Sequence, residues 1–502
     1  MKGKKKTILL LIMILCFMNS SVLVYAADND VYTYTYDWDE NIQPSPNVYE
    51  VLEVIDYKDL QLEKSFRNPQ GMFVRDNMIY ICDTGNNRIV QIERNGDTFN
   101  LIRIIDSFTG DTDPLTFKTP TDVFVTEEGD IYVCDQENAR VLKLDKDLNY
   151  KLSFVKPTNT TFDQNLAYVP TKIVVDRVGR VFVQAINVNQ GLMKYEPDGE
   201  FTGFVGAMPA SFSAYEYLWK MISTQAQQAQ MTNFVPTEYD NICIDDDGFI
   251  YTVSTHFSKE DYKADKAQPI RRLNSQGSDI LIKNGYCWPI GDVYWDDAAG
   301  MDGPSKFSDV TAMENDIYVI SDRLRGRVFG YDSQGNFLFG FGGSGNMEGY
   351  FRYPSAIDHM GRDLLILDSL DCSLTVMRTT EYGEYIFDAI DQYQRGNYDE
   401  SAVIWRKVLQ MNGNFSSAYV GVGRSLLRQN EYKEAMKYFR AAWDDDNYGK
   451  AFKLYRRVWV EENILWLFLG FFVVLGIPLI IGKINKIKGE VARYEHDRAR
   501  FK

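Results

Sequence analysis

Histidine is nearly missing from this chain: 502 residues contain three, His256, His359 and His496. His496 lies beyond a long apolar run, so a three-histidine zinc site in the larger part of the chain is excluded. A basic surplus is also missing. Lys and Arg total 54 against 70 Asp and Glu, a net charge of −16, and no basic face is left for nucleic acid. Cysteines number six, one of them inside an N-terminal apolar stretch. The remaining five are odd in number and form no C-x-x-C pair, which argues against a disulfide framework. There is no G-x-S-x-G nucleophile elbow, no EF-hand spacing and no phosphate-cradling glycine loop. "GFGGSGNMEG" (340–349) follows a strand-like run and reads as a connection between repeats.

What is present belongs to a folded, membrane-attached chain. Hydrophobic residues make up 45% and charged ones 25%, the balance of a globular protein, and the length allows about three domains. Lys2, Lys4, Lys5 and Lys6 precede an apolar run over 7–18 and a small-residue "VYA" at 24–26, the layout of a signal peptide over 1–26. "ILWLFLGFFVVLGIPLII" (464–481) carries no charge. It is long enough to cross a hydrocarbon core of roughly 30 Å. Lys483, Lys486 and Lys488 follow it, whereas Arg456 and Arg457 upstream are offset by Glu461 and Glu462. This asymmetry predicts a cytoplasmic C-terminus and an extracytoplasmic main body.

One phrase recurs. "IYICDTGNNRIVQIERNG" (79–96) is answered by "IYVCDQENARVLKLDKDL" (131–148). Six copies of the longer pattern begin at Phe66, Phe117, Tyr168, Phe234, Phe307 and Phe351. Each passes through a short strand, a turn, an aromatic-rich strand ending near an acid, a hairpin and a third strand. Most are followed by a fourth strand, as at 101–107, 200–206 and 336–342. Four short strands per repeat predict the blades of a six-bladed propeller, a mainly β fold. The sixth copy lacks its fourth strand, and an orphan strand, "YEVLEVID" (49–56), stands before the first. Its donation to the last blade would close the ring. The abundant aromatics fit strand packing, with sugar stacking as an alternative. Cys82 and Cys134 occupy equivalent places and are expected as buried small residues in separate blades.

The pattern resembles the NHL repeat. The resemblance rests on a P-x-G/D opening and on Y-[IV]-x-D-x-x-N-x-R, seen as Tyr80, Asp83, Asn86 or Asn87 and Arg88, and as Tyr132, Asp135, Asn138 and Arg140. Copy five keeps Asp322, Arg325 and Arg327, copy six keeps Asp368, and copies three and four are degenerate. Residues repeated around a ring point to structure rather than catalysis: an acid bracketing a hairpin with an arginine fork. The Asp245–Asp247 run falls at a turn and reads as a solvated hairpin, and His359 is read as a turn residue. The missing histidines speak against propeller lyases with a three-histidine site.

Two insertions interrupt the ring, a helix-friendly one at 208–234 and a polar one at 256–268. "VYTYTYDWDE" (31–40) fits either a strand or a sticky tail. After the ring, helices are expected over 385–395, 398–410, 416–428, 432–443 and 448–460. Tyr398 and Trp405 are matched 34 residues later by Tyr432 and Phe439. That is the tetratricopeptide period, and the segment resembles a short array of that kind.

The expected organisation is a signal peptide (1–26), a tail (27–47), a propeller (48–383), tetratricopeptide-like helices (384–462), a membrane span (463–482) and a cytoplasmic tail (483–502). The expected function is non-catalytic: an extracytoplasmic binding or scaffold protein with a protein partner from the envelope. Chains of similar order accompany carbohydrate transporters, so the resemblance implies an accessory to such a transporter, with carbohydrate as a further ligand. The alternative is a lactonase-like or glycan-processing hydrolase holding a divalent cation such as calcium in the channel. No other cofactor is expected.

Overall fold

The computed structural model describes residues 32–158, 162–207, 238–264, 266–285, 287–295 and 303–500. The predicted signal peptide and the 208–234 insertion lie outside them. Three strands precede the first repeat: β1 (Thr33–Tyr36), β2 (Ile42–Pro44) and β3 (Tyr49–Ile55). Blade one is β4 (Gly71–Arg75), β5 (Met78–Asp83), β6 (Arg88–Asn95) and β7 (Thr98–Ile105). Blade two is β8 (Pro120–Val125), β9 (Ile131–Asp135), β10 (Arg140–Leu144) and β11 (Tyr150–Val155). Blade three is β12 (Pro170–Val175), β13 (Val181–Ala185), β14 (Leu192–Tyr195) and β15 (Phe201–Val205). Blade four has three strands among the described residues, β16 (Asn241–Ile244), β17 (Ile250–Val253) and β18 (Ile270–Leu273). A one-turn helix, α1 (Lys259–Lys263), sits between β17 and β18 in the polar insertion, and Ser258 and Asp261 form its capping box. Blade five is β19 (Phe307–Ala312), β20 (Tyr318–Asp322), β21 (Arg327–Tyr331) and β22 (Phe337–Gly342). Blade six is β23 (Pro354–Met360), β24 (Asp363–Asp368) and β25 (Ser373–Thr379), completed by β3.

The fold is therefore a six-bladed β-propeller. The innermost strands touch in cyclic order, β4 to β8, β12, β16, β19, β23 and back to β4. Closure is by the N-terminal strand, with Ile55 of β3 opposite Leu374 and Tyr49 opposite Thr379 of β25. The orphan strand goes where the repeat pattern placed it. The ambiguous tyrosine stretch also resolves to strand. β1 adds to the outer edge of blade five, Thr33 opposite Phe341, and β2 folds back on it. Gly340 permits this, because a Cβ there would lie 2.8 Å from the Tyr34 ring.

The core lies between blades, as stacked sheets require. One cluster joins blades one and two through Cys82, Ile89, Val123 and Val133, and another joins two and three through Phe154, Val183 and Tyr195. Tyr80, Tyr132 and Tyr251 hold the same place in the second strand of their blades and are buried. The aromatics there serve packing, each burying about 150–250 Å². Cys82 and Cys134 are buried free thiols, and burial raises the pKa of both.

The described residues divide into two compact units, one within Met1–Phe387 and Gln410–Phe415, the other within Asp388–Leu409 and Ser416–Lys502. After the ring come α2 (Glu381–Gln394), α3 (Tyr398–Met411), α4 (Ser416–Arg428), α5 (Tyr432–Ala441) and α6 (Asp445–Arg500). α6 is one continuous helix through Pro478, long and apolar enough to cross a membrane, and none of its apolar stretch is covered by protein.

Candidate functional site

The repeated acids form latches. Asp83 Oδ2 accepts Nε of Arg88 at 2.7 Å and Nδ2 of Asn86 at 2.8 Å, while its Oδ1 accepts the backbone N–H of Arg67 at 2.7 Å. Asp135 repeats the set with Arg140 at 2.8 Å, Asn138 at 2.9 Å and the Lys118 N–H at 2.7 Å. Arg88 and Arg140 each donate a second bond to a carbonyl before the blade, of Lys64 and Pro114. The carboxylate thus ties the loop entering a blade to the hairpin between its second and third strands. Asp322 accepts the Lys306 N–H and Asp368 the Arg352 N–H in the same way. Blade five differs from the expected pairing. Arg325, not Arg327, faces Asp322, at 3.8 Å, and Arg327 pairs with the buried Asp292, which Arg325 also approaches at 3.5 Å. In blade four Ser254 replaces the acid and donates to the Glu238 carbonyl at 2.9 Å.

A second ring lies on the innermost strands. The ladder places Gly71, Asp122, Lys172, Asn241, Asp309 and Ala356 at one equivalent position, opposite Cys82, Cys134, Gln184, Val253, Ser321 and Leu367. Asp122 accepts the Ile173 N–H of the next blade at 2.9 Å, and Asp309 accepts that of Ile357 at 2.9 Å. Asn241 donates to the Ser308 carbonyl at 3.1 Å. Asp358, further along β23, accepts the Val74 N–H at 2.6 Å. These groups stitch adjacent blades. Lys172 Nζ stands 3.6 Å from Asp122 Oδ1. Burial disfavours its charge, but the carboxylates of Asp122 and Asp309 outweigh burial and hold its pKa up. Burial pushes Asp122 up as well, and Asp309 up to about 7.

The channel opens into a cavity of about 420 Å³. Each blade contributes the residue preceding its ring position: Gln70, Thr121, Thr171, Asp240, Ser308 and Ser355. Lys172 and Gln184 from blade three form part of its wall, with His256 and Arg323 from hairpins of blades four and five. Gln184 is 6% exposed, and its Oε1 has no hydrogen-bond partner among the described residues. Sequence reading set blade three aside as degenerate and missed both residues. The available signal was the departure itself, a lysine where other copies have Gly, Ala, Asn or Asp, and a long amide where they have Cys, Ser, Val or Leu.

His359 is within β23, not at a turn, since the strand runs on to Met360 and the reversal falls at Gly361. Its Nδ1 is 2.8 Å from Thr311 Oγ1. Asp245 does sit at a hairpin, where Oδ1 accepts the N–H groups of Asp247 and Phe249. Among the described residues no three His, Cys, Asp or Glu side chains gather as metal ligands would.

In the helical region Trp405 and Phe439 are buried, each against a glycine of α4: a Cβ on Gly421 would meet the Trp405 ring and one on Gly423 the Phe439 ring. Tyr398 packs edge-on against Tyr393, with ring centres 5.3 Å apart, and Tyr432 donates to Asn430 at 2.7 Å. Trp405 and Phe439 thus play equivalent parts, and the two tyrosines sit at their helix starts.

The class defined by these observations is a six-bladed β-propeller with a C-terminal helical region that includes one helix able to span a membrane. No protein-family profile matches the chain, and no curated protein does. Among solved structures it is similar to virginiamycin B lyase from Staphylococcus aureus, a catalytically inactive form with quinupristin, at 12% identity and a TM-score of 0.37, over 63% of this chain and 81% of that one. It is similar to a streptogramin B lyase at 13% identity and a TM-score of 0.38, over 65% and 98%. A protein of unknown function from Bacteroides thetaiotaomicron matches at 11% identity and a TM-score of 0.39, over 70% and 77%.

Proposed function

We propose that the chain is a membrane-anchored, non-catalytic binding protein. Its propeller lies outside the cytoplasm, and its helical region holds an envelope protein, a component of a carbohydrate transporter, near the membrane. The observation that carries this reading is the use made of the channel acids. Asp122, Asp309 and Asp358 each accept a backbone N–H of the neighbouring blade, so they are engaged in holding the ring while a polar cavity stays open above them. The paired helices and the exposed Val403 and Trp443 support a protein-docking role for the helical region. The test is affinity purification of the full-length protein from cross-linked membranes, beside a Val403→Glu, Trp443→Glu variant. Transporter proteins that co-purify with the first and fade with the second support the reading. Nothing reproducible with either removes it. The hydrolase reading draws on His256 and Asp240 sharing the cavity wall. It predicts lactone or glycoside cleavage, strengthened by a divalent cation.

A further inference from the structure

We propose that the cavity at the channel mouth binds a neutral saccharide of one or two rings. This rests on the binding reading above and assigns the ligand class. Gln184 is the first argument. A buried amide oxygen without a partner costs free energy, and folded proteins rarely keep one. Here it stands in the cavity wall, at a position where the other five blades carry smaller or apolar residues.

The hydroxyl ring gives the second argument. Thr121 Oγ1 donates to the Thr171 carbonyl at 3.0 Å, Thr171 Oγ1 to the Gln184 carbonyl at 3.3 Å and Ser355 Oγ to the Pro69 carbonyl at 2.9 Å. A hydroxyl has one proton. With those protons given to the wall, these three hydroxyls turn lone pairs to the cavity, and Gln184 Oε1 adds another acceptor. The ligand must therefore bring several O–H or N–H donors. Lys172 is the opposing donor and calls for acceptors on the same molecule. Groups that donate and accept on adjacent atoms are the hydroxyls of a sugar.

Charge gives the third. Lys172 is 9% exposed and faces the carboxylates of Asp122 and Asp309, while Arg323 meets Asp240 at 3.2 Å. These cations already have counter-charges, so a neutral ligand fits better than an anion. The volume, about 420 Å³, is at the small end of ligand clefts, which span roughly 300–1,000 Å³. Tyr353, exposed at the rim, offers an aromatic face to the C–H side of a sugar ring.

The test uses the full chain in a sugar-free detergent, titrated calorimetrically with glucose, galactose, maltose and cellobiose, and with glucuronate and glucosamine as charged counterparts. Saturable one-to-one binding of a neutral sugar is expected, weakened about tenfold in Gln184→Leu and less in Thr171→Val. Thermal melts of both near-isosteric variants check that they fold. No neutral sugar binding up to about 10 mM overturns the proposal. So does binding that neither variant weakens, or tighter binding of a charged counterpart. NMR of the same mixtures separates the two readings. A sugar that binds and is converted leaves the site standing and removes the non-catalytic reading. No binding and no conversion removes only the site.

Discussion

At the scale of single residues, the latch acids and the channel acids differ in what their removal should do. Asp83 is fully buried and holds the guanidinium of a nearly buried arginine. Asp83→Ala leaves that charge and the Arg67 N–H without their acceptor, and stability should fall by about 3–5 kcal/mol. Lys118→Ala breaks a pair with Glu137 that is more than half exposed and screened by solvent, and the loss should be far smaller. Urea unfolding of the two variants checks the contrast, and equal losses would sink the latch argument. Asp309 should act through pH. Burial raises its carboxyl from an ordinary value of 3.8 to about 7. Between those values the folded protein keeps a proton that the unfolded chain releases, so this group's contribution is full below the lower value and is lost as pH rises through the upper. Asp309→Asn retains an acceptor for Ile357 and imitates Asn241 of blade four. Its melting temperature should therefore decline less than wild type between pH 5 and 8, and parallel curves would refute the assignment. The latches were legible in the sequence because Asp83 and Arg88 recur as Asp135 and Arg140. Gln184 and Lys172 were not, because a single departure in a weak copy looks like decay until the ladder aligns it with its five equivalents.

At the scale of elements, the strands before the first repeat show where sequence patterning stops deciding. The β3 segment was readable because a ring of four-stranded blades lacked one strand, a topological argument that needs no side-chain detail. β1 was ambiguous for a physical reason: its tyrosines are amphipathic and satisfy either a sheet edge or solvent. What decides is a residue some 250 positions away. The carboxylate of Asp292 accepts from the Tyr34 hydroxyl at 2.6 Å and from the Tyr36 hydroxyl at 3.0 Å, and it pairs with Arg327. Asp292 is buried, and desolvation together with this acid raises the pKa of both tyrosines. Asp292→Ala should free the β1–β2 hairpin while blade five keeps its own ladder. Amide exchange at Thr33–Tyr36 should quicken about a hundredfold, the equivalent of about 3 kcal/mol. Equal acceleration across β19–β22 would show that Asp292 supports the blade itself rather than the added strands.

At the scale of the whole molecule, the decisive feature is the contrast between blades whose strand tyrosines Tyr132, Tyr195, Tyr251, Tyr318 and Tyr331 are buried and a helix whose aromatics are not. Leu465, Trp466 and Leu479 of α6 are each more than 70% exposed and belong to one unbroken apolar surface. Patches of more than a few hundred Å² seldom face water on a soluble monomer, and hydrocarbon is the environment that fits this one. The proposed orientation draws on charge. Lys483, Lys486 and Lys488 sit directly after the apolar stretch, and the proposal holds them on the cytoplasmic side with the propeller on the other. Asp198 at a blade-three turn and Asp497 near the end of α6 are both exposed, so a cysteine at either should report its compartment without disturbing packing. Asp198→Cys should react with a membrane-impermeant maleimide in intact cells, above the background of the native chain. Asp497→Cys should react only after the membrane is opened. The reverse pattern would invert the topology and place the cavity in the cytoplasm, away from external sugars. Labelling of both in intact cells would mean that α6 does not cross the membrane, and its apolar surface would then need cover from a partner chain.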